Sequence, residues 1–365
     1  MHKKRLCGLE LLRAFAFLLV LMQHSIGGYS LDPKASFNNA VPLRMIFTIS
    51  KPAVPMFIFI SAVLLLYNYG DGIDIKTFYK NRITTIILPY ILCSFIYIIL
   101  YHKKIDNLFI SLLNGNTVFH LWYMGTIIRI YFIFPIVLFL LNKLKIKSNE
   151  FNNFFIIFYL IFSFILIANK DSIDLFVSRL FTKTSNFHIK EFMSISPIYL
   201  SIYFIIGYYF VTYINKAVNL LLRYKTVITI LFIIFLIPNY LVIMGDRINI
   251  NLNNYFTTAI SIAFTINSIF FWYIVSIHII ERKNRLENLL KFISHYSFGG
   301  YLLHVLILNV VADVFYWFYK LTNNYVFPSV SIFILTAIIT PLICNILSFI
   351  PFSKYIFGVK TYHWS

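Results

Sequence analysis

A basic residue and a histidine share the first long apolar segment of the 365-residue chain, LRAFAFLLVLMQHS. Arg13 and His24 lie eleven positions apart, almost three helical turns, which places both on one stripe about 16 Å apart along the axis. A neutral histidine can take a proton from a hydroxyl, and an arginine can hold a phosphate or a developing oxyanion. The alternatives are an arginine that snorkels at a helix end and a polar histidine at the interface. Glu10, one turn before Arg13, is placed to pair with it.

Further ionisable residues stand in later apolar segments, where burying a charge in lipid is costly. Arg82 opens one segment in FYKNRITTIILPY, and a cytoplasmic anchor is the alternative to a binding function. His120, Trp122 and Tyr123 begin the next segment in HLWYM, which fits an interfacial aromatic belt as well as a substrate site. Arg129 lies deeper in that segment, and its alternative is a buried pair without a catalytic function.

Two more segments carry polar residues with helical spacing. Ser297, Tyr301 and His304 in SFGGYLLH share one helix face, which we expect to turn toward the other helices. A histidine satisfied in the core is the alternative for His304. The two prolines of SKPAVPMFIFISAVLL predict a kinked helix start, and Ser61 is placed either to bond to a neighbouring helix or simply to pack.

The elements that must position these residues are membrane helices. Hydrophobic residues make up 60% of the chain and charged residues 12%, where a soluble domain of this length has about a quarter charged. Apolar runs are long enough for spans of roughly 20 residues and too long for the strands of a barrel. The sequence therefore predicts an all-α integral membrane protein with about ten transmembrane helices, at 9–28, 43–67, 83–101, 120–141, 152–169, 197–214, 226–244, 255–280, 297–319 and 329–350.

The net charge of +18 is explained by topology. With the amino terminus inside, the cytoplasmic segments hold most of the Lys and Arg, which is the positive-inside bias. Both termini are then cytoplasmic, residues 170–196 form a long outer loop, and the basic face contacts anionic lipids. This distribution of the basic residues argues against a nucleic-acid partner. We also expect no metal, because the three cysteines form no CxxC pair.

Taken together, these segments resemble the membrane-bound acyltransferase 3 family over essentially the whole chain. That family has a basic residue and a histidine spaced like Arg13 and His24, then segments similar to VPMFIFISAVLL and to a basic FYKNR-like start ending in Pro-Tyr. HLWYM follows, with Tyr131 and Pro135 behind it, and then SFGGYLLH. The resemblance implies one transmembrane domain over 1–365, without a separate soluble domain, in a bacterial cell membrane.

The resemblance also implies a reaction and its residues. An acyl group, acetyl by default and succinyl as an option, would pass from cytoplasmic acyl-CoA to a hydroxyl of a surface polysaccharide or lipid-linked sugar. His24 would be the general base, and Arg129 would polarise the thioester carbonyl. The remaining expectations are donor binding by Arg13, Arg82, Tyr301 and His304, acceptor binding by His120, Trp122 and Tyr123, and structural support by Glu10, Ser61 and Ser297.

The sequence departs from the family pattern at two places. Ala62 stands where a glycine is frequent, and Thr84 and Thr85 stand where a second basic residue often precedes Pro-Tyr, so Arg82 lacks its usual companion. Two other classes of function stay open. A polysaccharide exporter or flippase would also need many spans, although the chain shows no inverted repeat. A membrane scaffold would leave Arg129 and the Arg13–His24 pair without a purpose.

Overall fold

The computed structural model describes residues 2–143, 149–182, 187–250 and 252–363, and every regular element in these ranges is a helix. The α-helices of the first half are α1 (His2–Ser30), α2 (Phe37–Ser50), α3 (Ala53–Tyr69), α4 (Ile75–Arg82), α5 (Leu88–Leu100), α6 (Leu108–Asn114), α7 (Trp122–Lys143), α8 (Asn149–Ala168) and α9 (Lys170–Thr182). Those of the second half are α10 (Phe187–Ser194), α11 (Ser201–Thr212), α12 (Ile214–Arg223), α13 (Lys225–Ile248), α14 (Asn254–Arg282), α15 (Arg285–Thr322), α16 (Val326–Leu347) and α17 (Ser353–Ile356).

The number of membrane spans agrees with the sequence prediction. Among the described residues, 9 helices are long and apolar enough to cross a membrane, or 10 with a pair bent by 73°. That pair joins Phe154–Ala168 to Lys170–Phe181 and overlaps the predicted span at 152–169. The predicted all-α membrane fold is therefore confirmed, and the orientation with both termini inside stays a prediction.

The predicted outer loop at 170–196 contains two helices, α9 and α10, and its position outside the membrane stays a prediction. Its polar residues suggested a loop, yet they are satisfied within helices. Asp174 is buried, accepts a hydrogen bond of 2.7 Å from the Tyr199 hydroxyl, and lies 3.8 Å from Nζ of Lys170 one turn earlier. Paired charges on one face allow an amphipathic helix where mean hydropathy alone indicates none.

Prolines mark two irregular points, the first of them at the predicted kinked helix start. α2 ends at Ser50 and α3 begins at Ala53, so the break falls at Pro52 inside the predicted kinked start. A π-helical segment, Ile83–Ile87, stands between α4 and α5, directly before the turn that contains Pro89. Proline has no N–H and crowds the preceding carbonyl, and a wider π turn accommodates both effects.

The helices form two compact units, Met1–Ile60 with Tyr213–Ser365 (the first unit) and Ser61–Thr212 (the second unit). In the first unit α1 packs against α2, α14, α15 and α16, and α13 packs against α2 and α14. Asparagines delimit these helices. The side chains of Asn253 and Asn284 cap the starts of α14 and α15, and Asn249 and Asn323 end α13 and α15 in the left-handed conformation.

The second unit is built around α7, which packs against α4 and α6, while α8 packs against α9 and α11. The Asn107 side chain accepts from the Ile110 N–H to cap α6, and Gly115 ends that helix with φ of 68°. The sequence prediction of a single transmembrane domain over 1–365 stays a prediction.

Candidate active site

In the first unit α1 and α15 pack closely along the SFGG segment of α15. A Cβ atom added to Gly300 would lie 2.6 Å from Cζ of Phe17, so a glycine is needed at this approach. Gly299 faces another neighbour, since its added Cβ would lie 2.2 Å from Cγ1 of Val359. Gly300 therefore sets the distance between α1 and α15, and with it the positions of the histidines further along each helix.

His24 on α1 and His304 on α15 face each other. Their ring centroids lie 5.2 Å apart, and the ring planes are tilted by 37°. His304 is fully buried, with Nδ1 2.8 Å from the carbonyl oxygen of Tyr301 and its ring centroid 5.8 Å from that of Tyr301. Because a carbonyl only accepts, this Nδ1 carries the hydrogen and Nε2 is the basic nitrogen of the neutral ring. The structure thus brings together three predicted residues, His24, Tyr301 and His304.

A cavity of about 220 Å³ lies beside His24, at the end of α1 remote from its amino terminus. Its wall combines apolar side chains of α15 and α16 with six polar or aromatic residues, His24, Ser25, Tyr29, Asp32, Tyr319 and Tyr325. In the predicted orientation this cavity lies in the outer part of the membrane. His24 is half-buried and contributes to the wall, so a small molecule in the cavity can reach its imidazole.

Three tyrosines and an aspartate form a connected polar group in this wall. The hydroxyls of Tyr319 and Tyr325 lie 2.6 Å apart, and the Tyr325 hydroxyl donates to Oδ2 of Asp32 over 3.4 Å. The Tyr29 ring meets both tyrosine rings edge-on, with centroids 6.2 and 6.1 Å away. Burial raises the pKa of the Tyr325 phenol, and its bond with Tyr319 and the charge of Asp32 raise it further. That phenol therefore stays protonated and able to donate at neutral pH.

Arg13 is half-buried in the uninterrupted helix α1, so the predicted spacing of almost three turns to His24 holds. Between them, the Phe15 ring packs on Trp272 of α14 with centroids 4.7 Å apart. Glu10, one turn before Arg13, is half-buried. Burial raises the pKa of the Tyr362 phenol, and the charge of Glu10 raises it further.

Arg82 of the second unit lies in an aromatic cage. Its Cζ atom is 4.8 Å from the ring centroid of Tyr131, 5.1 Å from that of Phe78 and 6.0 Å from that of Tyr69. These contacts orient the guanidinium by cation–π attraction. No hydrogen bond or ion pair joins it to another residue in the described part of the chain. The cage therefore holds a cation whose N–H groups are available to an anion.

Arg129 binds the protein's own carbonyl groups. It donates to the Phe192 carbonyl over 2.7 Å, to the Leu113 carbonyl over 3.3 Å and to Oδ1 of Asn114 over 3.0 Å. The guanidinium also stacks on the Phe192 ring at 3.7 Å. Asn114 in turn donates to the Glu191 carboxylate over 3.2 Å. This arrangement ties α7 to α6 and α10. It favours the alternative in which Arg129 supports the fold without a catalytic function.

The predicted acceptor residues of the second unit lie together at the start of α7. His120 is in a 3-10 turn, Phe119–Leu121, and is buried with its ring edge-on to Tyr97 at 5.2 Å. Trp122 is half-buried and Tyr123 is buried. These residues are close in sequence and in space, and their binding function stays a prediction.

The predicted supporting serines differ in their surroundings. The Ser297 hydroxyl donates to the Ser294 carbonyl over 2.8 Å within α15. Ser61 is half-buried in α3, and its supporting function, by packing or by a bond to a neighbouring helix, stays a prediction. In the described ranges, no cluster of three or more His, Cys, Asp or Glu side chains is suited to a metal.

One known family covers almost the entire chain. The acyltransferase 3 family, described as an acyltransferase domain, matches residues 8–356. The chain belongs to this family. The match spans both units and includes every motif on which the sequence resemblance rests, from the Arg13–His24 pair to SFGGYLLH. The resemblance is therefore confirmed at the level of the family.

Among named proteins, this acyltransferase 3 family member is similar to three from Staphylococcus aureus, strains MSSA476, MW2 and N315. Each is a probable poly-beta-1,6-N-acetyl-D-glucosamine export protein, 27% identical over 314 residues. The matches cover 84% of this chain and 83% of each relative. No solved structure matches the chain.

Sequence reasoning missed the polar wall of the cavity. Tyr29 and Asp32 follow His24 by five and eight positions, which are not whole helical turns, and Asp32 lies beyond the end of α1, so the stripe argument does not select them. Tyr319 and Tyr325 gave no signal either, because the sequence is rich in tyrosine, with 26 in all. Only the packing of α15 and α16 against α1 brings them to His24.

Proposed function

We propose that this acyltransferase 3 family member transfers an acyl group, acetyl in the first instance, from acyl-CoA to a hydroxyl of a surface polysaccharide or lipid-linked sugar. The observation that carries the proposal is the position of His24, half-buried beside His304 and in the wall of a cavity. A base that can be reached from a cavity inside a membrane helix bundle suits the activation of a hydroxyl where bulk water is excluded.

His24 acts as the general base. It takes the proton of the acceptor hydroxyl while the oxygen attacks the carbonyl carbon of the thioester. The carbon–sulfur bond breaks, and the departing thiolate receives the proton from the histidinium, so CoA leaves as a thiol. No protein nucleophile is needed, and no proton is left over. His304, whose Nδ1 is held by the Tyr301 carbonyl, keeps the neighbouring ring in place.

The donor is acyl-CoA, with acetyl-CoA as the default. Arg82 suits its phosphates, since the aromatic cage orients the guanidinium and leaves its N–H groups to an anion. Arg13 also binds the donor, because it lies near the cytoplasmic face in the predicted orientation, where the amino terminus is cytoplasmic. Arg129 keeps a smaller part in the proposal, because its N–H groups already bind carbonyls, and polarisation of the thioester by Arg129 is secondary to its support of the fold.

The acceptor is a glycan hydroxyl. The relatives named for export of poly-beta-1,6-N-acetyl-D-glucosamine support a saccharide, and a multi-pass protein of a bacterial cell membrane suits one that is lipid-linked or at the surface. His120, Trp122 and Tyr123 remain proposed contacts of this acceptor. An aromatic cluster that starts a membrane helix suits a sugar ring near the interface.

The test uses purified full-length protein in lipid nanodiscs with radiolabelled acetyl-CoA and a β-1,6-linked N-acetylglucosamine oligosaccharide. We expect labelled glycan and free thiol in equal amounts, and a loss of about 10²–10⁴-fold in rate for His24→Ala. His278→Ala is the matched control, because His278 lies near the end of α14 in an exposed pair with Glu281. Undiminished transfer by His24→Ala would remove this histidine from the mechanism.

A second candidate is export of the glycan without acyl transfer, which the printed name of the relatives favours. In proteoliposomes an exporter would move the oligosaccharide across the bilayer without acetyl-CoA, and His24→Ala would leave that movement unchanged. Acetyl-CoA-dependent labelling of the glycan, together with absent transport, favours the transferase.

A further inference from the structure

The cavity beside His24 is lined by phenols and a carboxyl group as well as by a base. Its wall holds the imidazole of His24 together with Asp32 and with Tyr319 and Tyr325, whose hydroxyls are linked to each other and to the Asp32 carboxylate. We propose that this cavity is the acceptor subsite and that it selects a sugar unit without an acidic group. This inference rests on the proposed function for the identity of the reaction, and it adds the binding site and the class of sugar.

The aromatic part of the wall suits a sugar ring. Tyr29, Tyr319 and Tyr325 present ring edges and faces to a small space, and such surfaces pack against the apolar C–H faces of a pyranose. Each phenol can both donate and accept, as sugar hydroxyls do. A mostly apolar wall with a few convergent polar groups is typical of small-molecule sites.

The charge of the wall excludes acidic sugars. The carboxylate of Asp32 accepts from the Lys34 N–H over 2.8 Å and from Tyr325, and in the described part of the chain no cation forms an ion pair with it. Arg247 is close by but donates to the backbone carbonyl of Asp32 over 2.8 Å. A carboxylate that forms no ion pair binds hydroxyl or ammonium donors and repels a carboxylate ligand.

The wall is held in place before any sugar binds. The turn after α1 is fixed by Arg44, which donates to the Ser30 carbonyl over 3.0 Å, and by Arg247. The turn before α16 is tied to the start of α2, because Asn39 donates to the Asn323 carbonyl over 3.1 Å and accepts from the Tyr325 N–H over 3.3 Å. A preformed wall lowers the ordering cost of binding.

The experiment measures binding separately from turnover. Full-length His24→Ala protein in nanodiscs is titrated calorimetrically with a neutral β-1,6-linked N-acetylglucosamine pentasaccharide, and then with a uronic acid pentasaccharide. We expect the neutral sugar to bind and the acidic one to bind at least tenfold more weakly. Adding Asp32→Asn should weaken binding of the neutral sugar by about tenfold to a hundredfold, because it removes a charged acceptor. Adding Tyr319→Phe should weaken that binding by less.

Matched controls keep the result specific. Tyr316→Phe changes an exposed tyrosine of the same helix, and Asp71→Asn changes an exposed aspartate of the second unit, so both should leave binding unchanged. Thermal unfolding of each variant checks its folding, and Tyr319→Phe, which removes one oxygen, serves if Asp32→Asn does not fold. Absent binding of the neutral sugar, equal binding of the acidic sugar, or binding unaffected by both substitutions would overturn the subsite.

The proposed function fails in a different way. In that case the neutral sugar binds in the manner expected, and Asp32→Asn weakens it, while unsubstituted protein releases no thiol from acetyl-CoA in its presence. The cavity would then stand as a saccharide site of a protein without acyl transfer. The two failures are therefore distinguishable in one set of samples.

Discussion

The imidazole rings of His24 and His304 lie 5.2 Å apart, on two helices that a glycine allows to pack closely. The two rings differ in their surroundings. His304 is fully buried and bonded to the Tyr301 carbonyl, whereas His24 is half-buried and lines the cavity. This difference assigns proton transfer to His24 in the proposed mechanism and leaves His304 to position it.

The first prediction separates these two histidines. His304→Ala should lower kcat for acyl transfer by about tenfold to a hundredfold, because a base displaced by about 1 Å loses that much rate. His304→Gln, which can still bond to the Tyr301 carbonyl, should recover part of it. Steady-state kinetics with acetyl-CoA should show unchanged KM for the donor in both variants. A loss for His304→Ala as large as that for His24→Ala would contradict a positioning function.

Much of the fold follows from the apolar runs alone. Each predicted span overlaps a helix of the structure, since a membrane leaves the backbone no alternative but a helix or a closed barrel. The helices at 170–194 escaped prediction because their stability comes from paired charges and tertiary packing, as the bond between Tyr199 and Asp174 shows. A window that measures hydropathy contains neither contribution.

The site was predicted where its residues share one helix and missed where they do not. Arg13 and His24 are related by helical period, which the sequence contains. The partner of His24 is 280 positions away, and the Phe192 carbonyl that binds Arg129 is 63 positions from it. Pairings at such separations depend on how helices pack, which a single sequence does not specify.

The second prediction concerns the aromatic cage of Arg82. Arg82→Ala should raise KM for acetyl-CoA by about tenfold to a hundredfold, the loss expected for charge-assisted hydrogen bonds to phosphate. Arg82→Lys should recover little, because an ammonium does not stack on Tyr131 and Phe78 as a planar guanidinium does. Lys80→Ala, an exposed change in the same helix, is the control. An Arg82→Ala enzyme with unchanged KM would exclude donor binding here.

The third prediction concerns the ion pair between the buried Arg44 and the largely exposed Asp246 of the first unit. Arg44 is 1% exposed, forms a bidentate pair with Asp246 and donates to the Ile243 carbonyl over 2.7 Å. Asp246→Ala removes the counter-charge of the buried guanidinium, and because the Asp246 carboxylate is largely exposed we expect a cost of about 1–2 kcal/mol. The apparent melting temperature in detergent should fall by several degrees, whereas Asp106→Ala, an exposed change, should have no effect. Equal melting of both variants would show that the pair does not stabilise the fold.

The last prediction decides what Arg129 does. If its main function is to join α7 to α6 and α10, Arg129→Lys should destabilise the protein nearly as much as Arg129→Ala, because an ammonium cannot reach all three oxygens and stack on Phe192. We expect about 1–3 kcal/mol from the carbonyl groups left without a donor.

Arg179→Lys supplies the control for that comparison, since Arg179 is exposed on α9 of the same unit. Thermal unfolding and acyl transfer are measured on the same preparations, with rates corrected for the folded fraction. If Arg129 is structural, both Arg129 variants should melt at a lower temperature, and the corrected rate of acyl transfer should stay nearly normal. An Arg129→Lys protein that melts like the unsubstituted one yet transfers no acyl group would instead assign this guanidinium to the thioester, because only the shape and placement of the charge would have changed.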